Sequence, residues 1–487
     1  MSLSTALSIA QSSILNTGRQ TSVVSRNVLE SQNPDYARRS AVVSSSAPGA
    51  RVVEIHRATN EQLFRHNLSA QSAWSGQGTL YYGMQQLGLA VNGVDNATSP
   101  ANAIGELQKA LQLYSASPSN GNLAANAVNA ARQVVRGLND ASTSIQTFRV
   151  QTDQEIGIAV NELNTLLADF QAANNAVING TRAGRDTSDA LDQRDAILKK
   201  IADYVPVSSF KRGDNDMVLM TMDGTTLFEA VPRTVSFQPS TAYAAGMTGN
   251  AVYVDGVPIA TATGGNTDAS GKIAGMIQLR DSVASTMQSQ LDEIARGLIT
   301  AFAETDQTGG AAPDAPGLFT WTGAPGMPPA GTLVDGLAAT IRLNAAMDPS
   351  VGGNPQLLRD GGANGAAYVA NATGGASYAE LLIAYGDRLE QPMAFDNAAG
   401  NGANSSLVNY STSAIGWFEG LRQEAFRAAE SKEALAVRTA EALSNETGVN
   451  VDMEMSLLLD LEHSYEASAR LIKAVDDMLA SLLAAVR

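Results

Sequence analysis

Residue types able to do chemistry are scarce in this chain of 487 residues, and their spacing does not serve catalysis. Cysteine is absent, which removes thiolate nucleophiles, disulfide frameworks and cysteine-based zinc or iron-sulfur sites together. The three histidines, His56, His66 and His463, are too few for a histidine metal cage, and any Ser-His-Asp triad would have to use one of them. Asp214, Asp216 and Asp223 lack the glycine spacing and closing glutamate of a calcium loop, so a solvated turn is expected. Gly265 to Gly271-Lys272 has the outline of a phosphate loop, yet Ile273 stands where a Ser or Thr must bind magnesium. Arg212-Gly213-Asp214 reads as a polar hairpin turn, and the sequons at Asn96 and Asn371 are chance matches outside a glycosylating pathway. The expectation is a chain with no catalytic residue, no metal and no cofactor.

Composition narrows the class further. The 32 Lys plus Arg against 48 Asp plus Glu leave a net charge of −16, which argues against nucleic acid and against an anionic membrane surface as partners. Nowhere do about 18 apolar residues run together, so no spanning helix is expected. The first ten residues lack a basic region, an unbroken apolar stretch and a cleavage site, so no secretory signal peptide is expected either. Charged residues make up 16% of the chain, below the roughly 25% of an ordinary soluble domain, and Ala, Ser, Thr, Asn and Gly take their place. The length is enough for roughly three domains.

With little chemistry to position, the elements themselves carry the information, above all at the two ends. Leu3, Leu7, Ala10, Ile14, Thr17, Thr21, Val24 and Val28 recur at spacings of four and three, the seam of a helix that packs along a partner. Ser2 or Ser4 can cap it, and Asn33-Pro34 stops it. At the other end Val451, Leu458, Tyr465, Ile472, Leu479 and Val486 stand seven apart, with Leu461, Ser468, Val475 and Leu482 three residues after the middle four. Asp452 is the expected N-cap, with Glu454 in the first turn. Residues 1–40 carry four arginines against Glu30 and Asp35, whereas residues 452–487 carry seven acids against three bases. Opposite signs favour pairing of the two ends with each other. The first helix is rich in Ser, Thr, Asn and Gln, so it needs packing to form, and both helices are expected to order on assembly.

The same ends resemble a known family. Asn27 followed by Asn33-Pro34-Asp35-Tyr36-Ala37-Arg38 is similar to the Asn-Thr-Pro-Gly-Tyr-x-Arg that closes the first helix of flagellar rod, hook and hook-associated proteins. Gly448-Val449-Asn450-Val451-Asp452-Met453-Glu454-Met455 resembles that family's Gly-Val-Asn-Leu-Asp-Glu-Glu-Met, and the stretches Tyr465 to Arg470 and Val475 to Leu479 continue the match. Inside the chain, Ser188 to Asp195 with its Asp192-Gln193-Arg194 core, Gly271 to Asp281 and Leu291 to Ala295 resemble the hook-associated members rather than plain hook or rod subunits.

The resemblance implies a structural, non-enzymatic subunit outside the cell. It implies copies assembled in a short helical ring between hook and filament, with neighbours in the hook protein and a second hook-associated junction protein. It further implies a chaperone on the carboxyl arm and export unfolded through the flagellar type III channel. The seam residues would be the polymer contacts. Another axial member of the family, or an extracellular adhesin or hydrolase using the interior β segment, are the alternatives.

The expected fold is mainly α with an inserted β domain, elongated, with the terminal helices paired like a coiled coil. Residues 1–45 and 446–487 would form the inner unit; 46–203, 271–304 and 405–445 a helical bundle; and 204–270 a small β domain. Residues 305–404 would be a Gly/Pro-rich segment with short elements. Long helical faces are expected from Leu63 to Val91 and from Ile145 to Val177, divided by breaks at Ser99-Pro100 and Ser117-Pro118. Short alternating runs at Val205-Val207, Met217-Met222, Thr234-Phe237, Val252-Val254 and Ile259-Thr261 predict strands.

Overall fold

The computed structural model describes residues 3–46, 49–259 and 268–485; Ser2, Val486, the last residues of the Ile259-Thr261 run and Gly265 lie outside them. Helix dominates. The chain opens with α1 (Leu3–Leu29), then a hairpin of β1 (Arg39–Ser46) and β2 (Gly49–Arg57). Next come α2 (Glu61–Asn92), α3 (Pro100–Ala116), α4 (Gly121–Arg182) and α5 (Ser188–Tyr204). The breaks fall where expected: Asn60, Ser99 and Asn120 each accept a backbone N–H at the start of a helix, and Pro100 opens α3 where its missing N–H costs nothing. At 1.5 Å per residue α4, with 62 residues, is a rod of about 93 Å that sets the length of the body.

Two small antiparallel sheets follow, in the orders β3-β4-β5 (Val207–Lys211, Met217–Thr221, Thr226–Phe228) and β6-β7-β8 (Val235–Ser236, Val252–Val254, Val257–Ile259). They lie on the helices and share their core. Leu219, Phe228, Val235 and Val254 join Ile156, Leu163 and Phe170 of α4 and Ile201 of α5 in one buried cluster. The β segment is therefore a layer on the bundle, and Phe170 and Phe228 meet edge to face with centroids 5.1 Å apart.

Helix resumes at α6 (Lys272–Gln278) and, through a π-turn at Leu279–Val283, continues as α7 (Ala284–Ala301). Gly76 of α2 and Gly275 of α6 let two backbones touch; a Cβ on Gly76 would sit 2.5 Å from the Ala269 carbonyl oxygen, and one on Gly275 would sit 2.6 Å from the Gly76 carbonyl oxygen. The Gly/Pro-rich stretch contains α8 (Leu337–Thr340), α9 (Leu357–Asp360), α10 (Glu380–Glu390) and two two-stranded ladders, β9 with β10 (Phe319–Thr320, Arg342–Leu343) and β11 with β12 (Met393–Ala394, Asn404–Ser405). Phe319, Ile341, Leu358, Tyr385 and Phe395 of this stretch join the body's main core with α3, α4 and α7. The chain then returns along α11 (Leu407–Thr447) and ends in α12 (Val451–Ala485).

Antiparallel pairs give the molecule its axis. α11 runs back along α2, with Asn67 Nδ2 donating to Thr439 Oγ1 at 3.2 Å and Asn60 Nδ2 to Glu446 Oε2 at 2.8 Å. α12 runs back along α1, and neither of these lies alongside α2 or α11. The fold is thus two successive helix pairs that meet end to end near residue 448.

The Asp292 carboxylate ties α7 to the start of α8, accepting from Gly336 N at 2.9 Å, Ala338 N at 2.7 Å and Gln288 Nε2 at 3.0 Å. It is fully buried, and burial pushes its pKa up to about 7 although those donors pull the other way. A folded-state pKa above the unfolded value means that the group's contribution is full below about pH 4 and is lost as the pH rises through about 7. The thermal midpoint of the body is therefore expected to fall between pH 5 and pH 8, and Asp292→Asn to flatten that slope. An unchanged slope in the variant would place the titration elsewhere.

Candidate functional site

Where the two helix pairs meet, the chain passes through one small volume four times: leaving α1, leaving β2, entering α5, and crossing from α11 to α12. Asn27, fully buried near the end of α1, is the centre. Its Oδ1 accepts from Tyr36 OH at 2.8 Å and Arg39 N at 3.1 Å, and its Nδ2 donates to Arg39 O at 2.8 Å and Glu454 Oε2 at 2.9 Å. Two acceptor and two donor positions are all used, which only a carboxamide supplies. Glu454, buried in the first turn of α12, also accepts from Arg38 Nε at 2.6 Å. The Arg38 backbone donates to Thr447 O of α11 at 2.7 Å and accepts from Ala58 N at 2.8 Å. Arg38 thereby touches every passing segment but α5.

α5 supplies the other wall. Asp189, Asp192, Asp195 and Lys199 lie on one face at spacings of three, three and four. Asp189 meets Arg26 at 2.5 Å and Arg39 at 2.6 Å; Asp192 meets Arg39 at 2.8 Å and Arg57 at 2.7 Å. Asp195 meets Arg57 at 2.8 Å, and Lys199 meets Asp35 at 2.8 Å. Ala37 N adds a longer bond to Asp192 Oδ1, at 3.3 Å. Arg39 is only 3% exposed, with its guanidinium 4.7 Å from the Tyr36 ring centroid, a burial suited to a planar, weakly hydrated cation. Burial pushes the Asp189 carboxyl up, but the hydrogen bonds from Arg26 and Arg39 outweigh it and hold the group below the usual carboxylate range. Burial raises the Tyr36 hydroxyl. Three arginines of the amino-terminal segment thus close on three aspartates of one helix.

The remaining motif residues do other tasks. Asn33 shapes the turn after α1, donating to Glu30 and accepting from Asp35 N, each at 3.0 Å; Pro34 is exposed there, and Asp35 keeps a negative φ. Gln193 is exposed. Arg194 is fully buried but points away from the junction, donating to Asn174 Oδ1 at 3.0 Å and Asn215 O at 2.6 Å, and burial lowers its pKa. Gly448 lies where a Cβ would stand 2.5 Å from the Ser444 carbonyl oxygen. Asn450 caps α12 through a 3.1 Å bond from Met453 N, so the cap is Asn450 and not Asp452: the helix starts at Val451, one residue before Asp452.

Beyond the junction, the α1 and α12 seams close on each other within one chain. Ser13 Oγ and Ser468 Oγ are 2.7 Å apart. Ser13 is fourteen residues before Asn27 and Ser468 fourteen after Glu454, so the register holds without a slip. Val24, Leu461 and Val475 are buried in it; Leu3, Leu7, Ile14, Val28, Leu458 and Ile472 are half-buried. Tyr465, Leu479 and Leu482 stay exposed in the single chain. One partner helix covers a single stripe, and Leu3, ten residues before Ser13, falls level with Met478, so Leu482 runs past the described end of α1.

Sequence reasoning missed the hairpin and the pairing of Arg39 and Arg57 with α5. The alternating acid spacing of Asp189, Asp192 and Asp195 was the available signal. The three histidines are exposed, and no group of three potential metal ligands occurs among the described residues.

Comparison with known proteins bears on this junction directly. Residues 89–318 match the helical domain of the flagellar hook-associated protein FlgK, and residues 442–485 match the C-terminal region of the flagellar basal body rod FlgEFG proteins. The flagellar hook-associated protein 1 of Bacillus subtilis (strain 168) is 25% identical over 371 residues, 71% of this chain and 68% of that protein. In sequence the chain is thus similar to the FlgK family of flagellar hook-associated proteins. A solved member, the flagellar hook junction protein FlgK from Burkholderia pseudomallei, superposes with a TM-score of 0.41 and 18% identity over 53% of this chain and 46% of that one, less than half of the solved protein. The FlgK helical domain as matched here runs from the end of α2 past α7 and contains Asp192; the C-terminal match contains Glu454. The two matched stretches therefore meet at the junction.

Proposed function

We propose that this chain is a structural, non-catalytic subunit of the bacterial flagellum that polymerises at the distal end of the hook and forms the hook-filament junction. The terminal pair, residues 1–45 with 446–487, would be its inner layer, and the body would lie outside it. Its neighbours would be copies of itself, the hook protein and a second hook-associated junction protein. A chaperone would hold the carboxyl arm before export through the flagellar type III channel, for which a cysteine-free chain is well suited.

The observation that carries this reading is the second apolar stripe of α12. Met453, Leu457, Leu471 and Met478 form a flank beside the seam, and all four are exposed. A long rod showing such a stripe is incompletely buried as a single subunit. Packing α12 against neighbouring copies would cover it, at about 25 cal/mol for each Å² removed from water.

Leu471→Asp tests this. The free subunit is expected to keep its helix content and thermal midpoint, because Leu471 is off the seam, while incorporation into isolated hook-filament structures drops at least about tenfold. Wild-type incorporation of the variant would defeat the proposal.

A further inference from the structure

An open groove of about 520 Å³ lies between α2, α4 and α6 and within reach of α11. Its apolar lining includes Trp74 and Tyr82, 40% and 64% exposed. Three carboxylates, Glu155, Asp203 and Glu433, face one cation, Lys272, whose ammonium sits 5.0 Å from the Tyr204 ring centroid. The groove is therefore apolar, aromatic and acidic. It suits a ligand that brings aliphatic surface and a cation together.

Such a surface exists elsewhere on the same chain. The hairpin buries Val52 on α1, and the outer edge of β2 is capped by Asn16, which takes a bond from Val52 N at 3.0 Å and donates to Ala50 O. Val42, Val53 and Arg51 are exposed. Val42 and Arg51 share a face, since Val42 is two residues from Ser44, the cross-strand partner of Arg51; Val53 is the extra residue at the register shift, Glu54 pairs with Val42 farther from the tip, and Arg51 has no ion-pair partner among the described residues. A two-stranded ribbon with bare valines is poorly stabilised alone.

No chain can fill its own groove. From the junction the hairpin runs back along α1, its Gly49 tip beside Ser12, whereas α2 leaves the junction without lying alongside α1. The groove starts thirteen residues along α2, about 20 Å from its beginning, and extends to about 38 Å at Gln86. A second copy displaced along the long axis can bring the two surfaces together.

We propose that the hairpin of one copy seats in the α2-α4-α6 groove of the next, with Arg51 among the carboxylates and Val42 and Val53 against the aromatic rings. This rests on the self-assembly proposed above. With one hairpin and one groove per chain the contact is head-to-tail and propagates.

Because native cysteine is absent, Val53→Cys with Tyr82→Cys gives a clean test in isolated flagellar structures. A disulfide-linked ladder of dimers, trimers and longer species is expected in assembled subunits, and none in free ones. Incorporated but unlinked subunits, a product that stops at the dimer, or an intrachain disulfide would each overturn the inference. Failure of the cysteine-free parent to incorporate would instead overturn the assembly reading. As a second arm, Arg51→Glu and Glu155→Lys should each lower incorporation about tenfold, and the double variant should recover to within about twofold of wild type. Losses that simply multiply in the double variant would count against the contact even if the cysteine pair failed to incorporate.

Discussion

In the Asp192→Ala variant, a protease is expected to cut the segment between about residues 30 and 60 roughly a hundredfold faster than in the parent, while the body stays folded. Asp192 is buried and joins Arg39 to Arg57, with Ala37 N as a further donor. Removing one partner of a buried ion pair costs about 3–5 kcal/mol, because the charge left behind has lost both water and its partner. Here Asp189 still reaches Arg39 and Asp195 still reaches Arg57, so the lower end, about 3 kcal/mol, applies. If opening of the junction governs cleavage, that energy converts to about a hundredfold in rate. Asp189→Ala should do much less, since Asp189 is largely exposed and its pairs are screened. Equal cleavage of parent and Asp192→Ala would show that the terminal pair is held by something other than α5.

The second large effect is expected from Leu461→Asp. Leu461 lies seven residues from Glu454 and seven from Ser468, midway between the two polar contacts that set the register, and it is buried against α1. Losing a buried leucine costs about 2–5 kcal/mol, and an aspartate in its place adds the cost of desolvating a carboxylate. α1 cannot withstand that alone. Its Ser, Thr, Asn and Gln content and Gly18 make it a weak helix that depends on its partner. Far-UV circular dichroism should lose a signal equivalent to much of the 27-residue α1, with the unfolding transition of the body unchanged. Leu483→Asp is the control: Leu483 is 69% exposed, and the free subunit should not register the change. Retained α1 helicity in Leu461→Asp would mean that the hairpin, and not α12, holds α1.

The helices could be read in advance because their signal is local. The faces of α4 and α12 repeat every three or four residues, and the breaks at Ser99-Pro100 and Asn33-Pro34 are properties of the residues standing there. The hairpin carried no such signal. Its first strand is a serine-rich run, and a register shift beside Val42 and Val43 breaks the alternation by which strands are recognised. Segment 305–404 looked irregular for a related reason: its two-residue strands and four-residue helices gain stability by packing on α3, α4 and α7, and a contact with a distant helix leaves no period in the sequence.

At the junction the same division holds. The sequence by itself determined that both ends are rods with an apolar seam, that no thiol or histidine cluster is available for chemistry, and that Asn27, Tyr36, Arg38 and Asp192 belong to marked stretches. Only the tertiary structure decided that these four meet, that Glu454 joins Arg38 to Asn27 across 427 residues of chain, and that Arg39 and Arg57 share Asp192. Periodicity records which face of an element avoids water. Which charge meets which depends on how rods tens of ångströms long are laid against one another, and that is settled by the summed packing of every element between them.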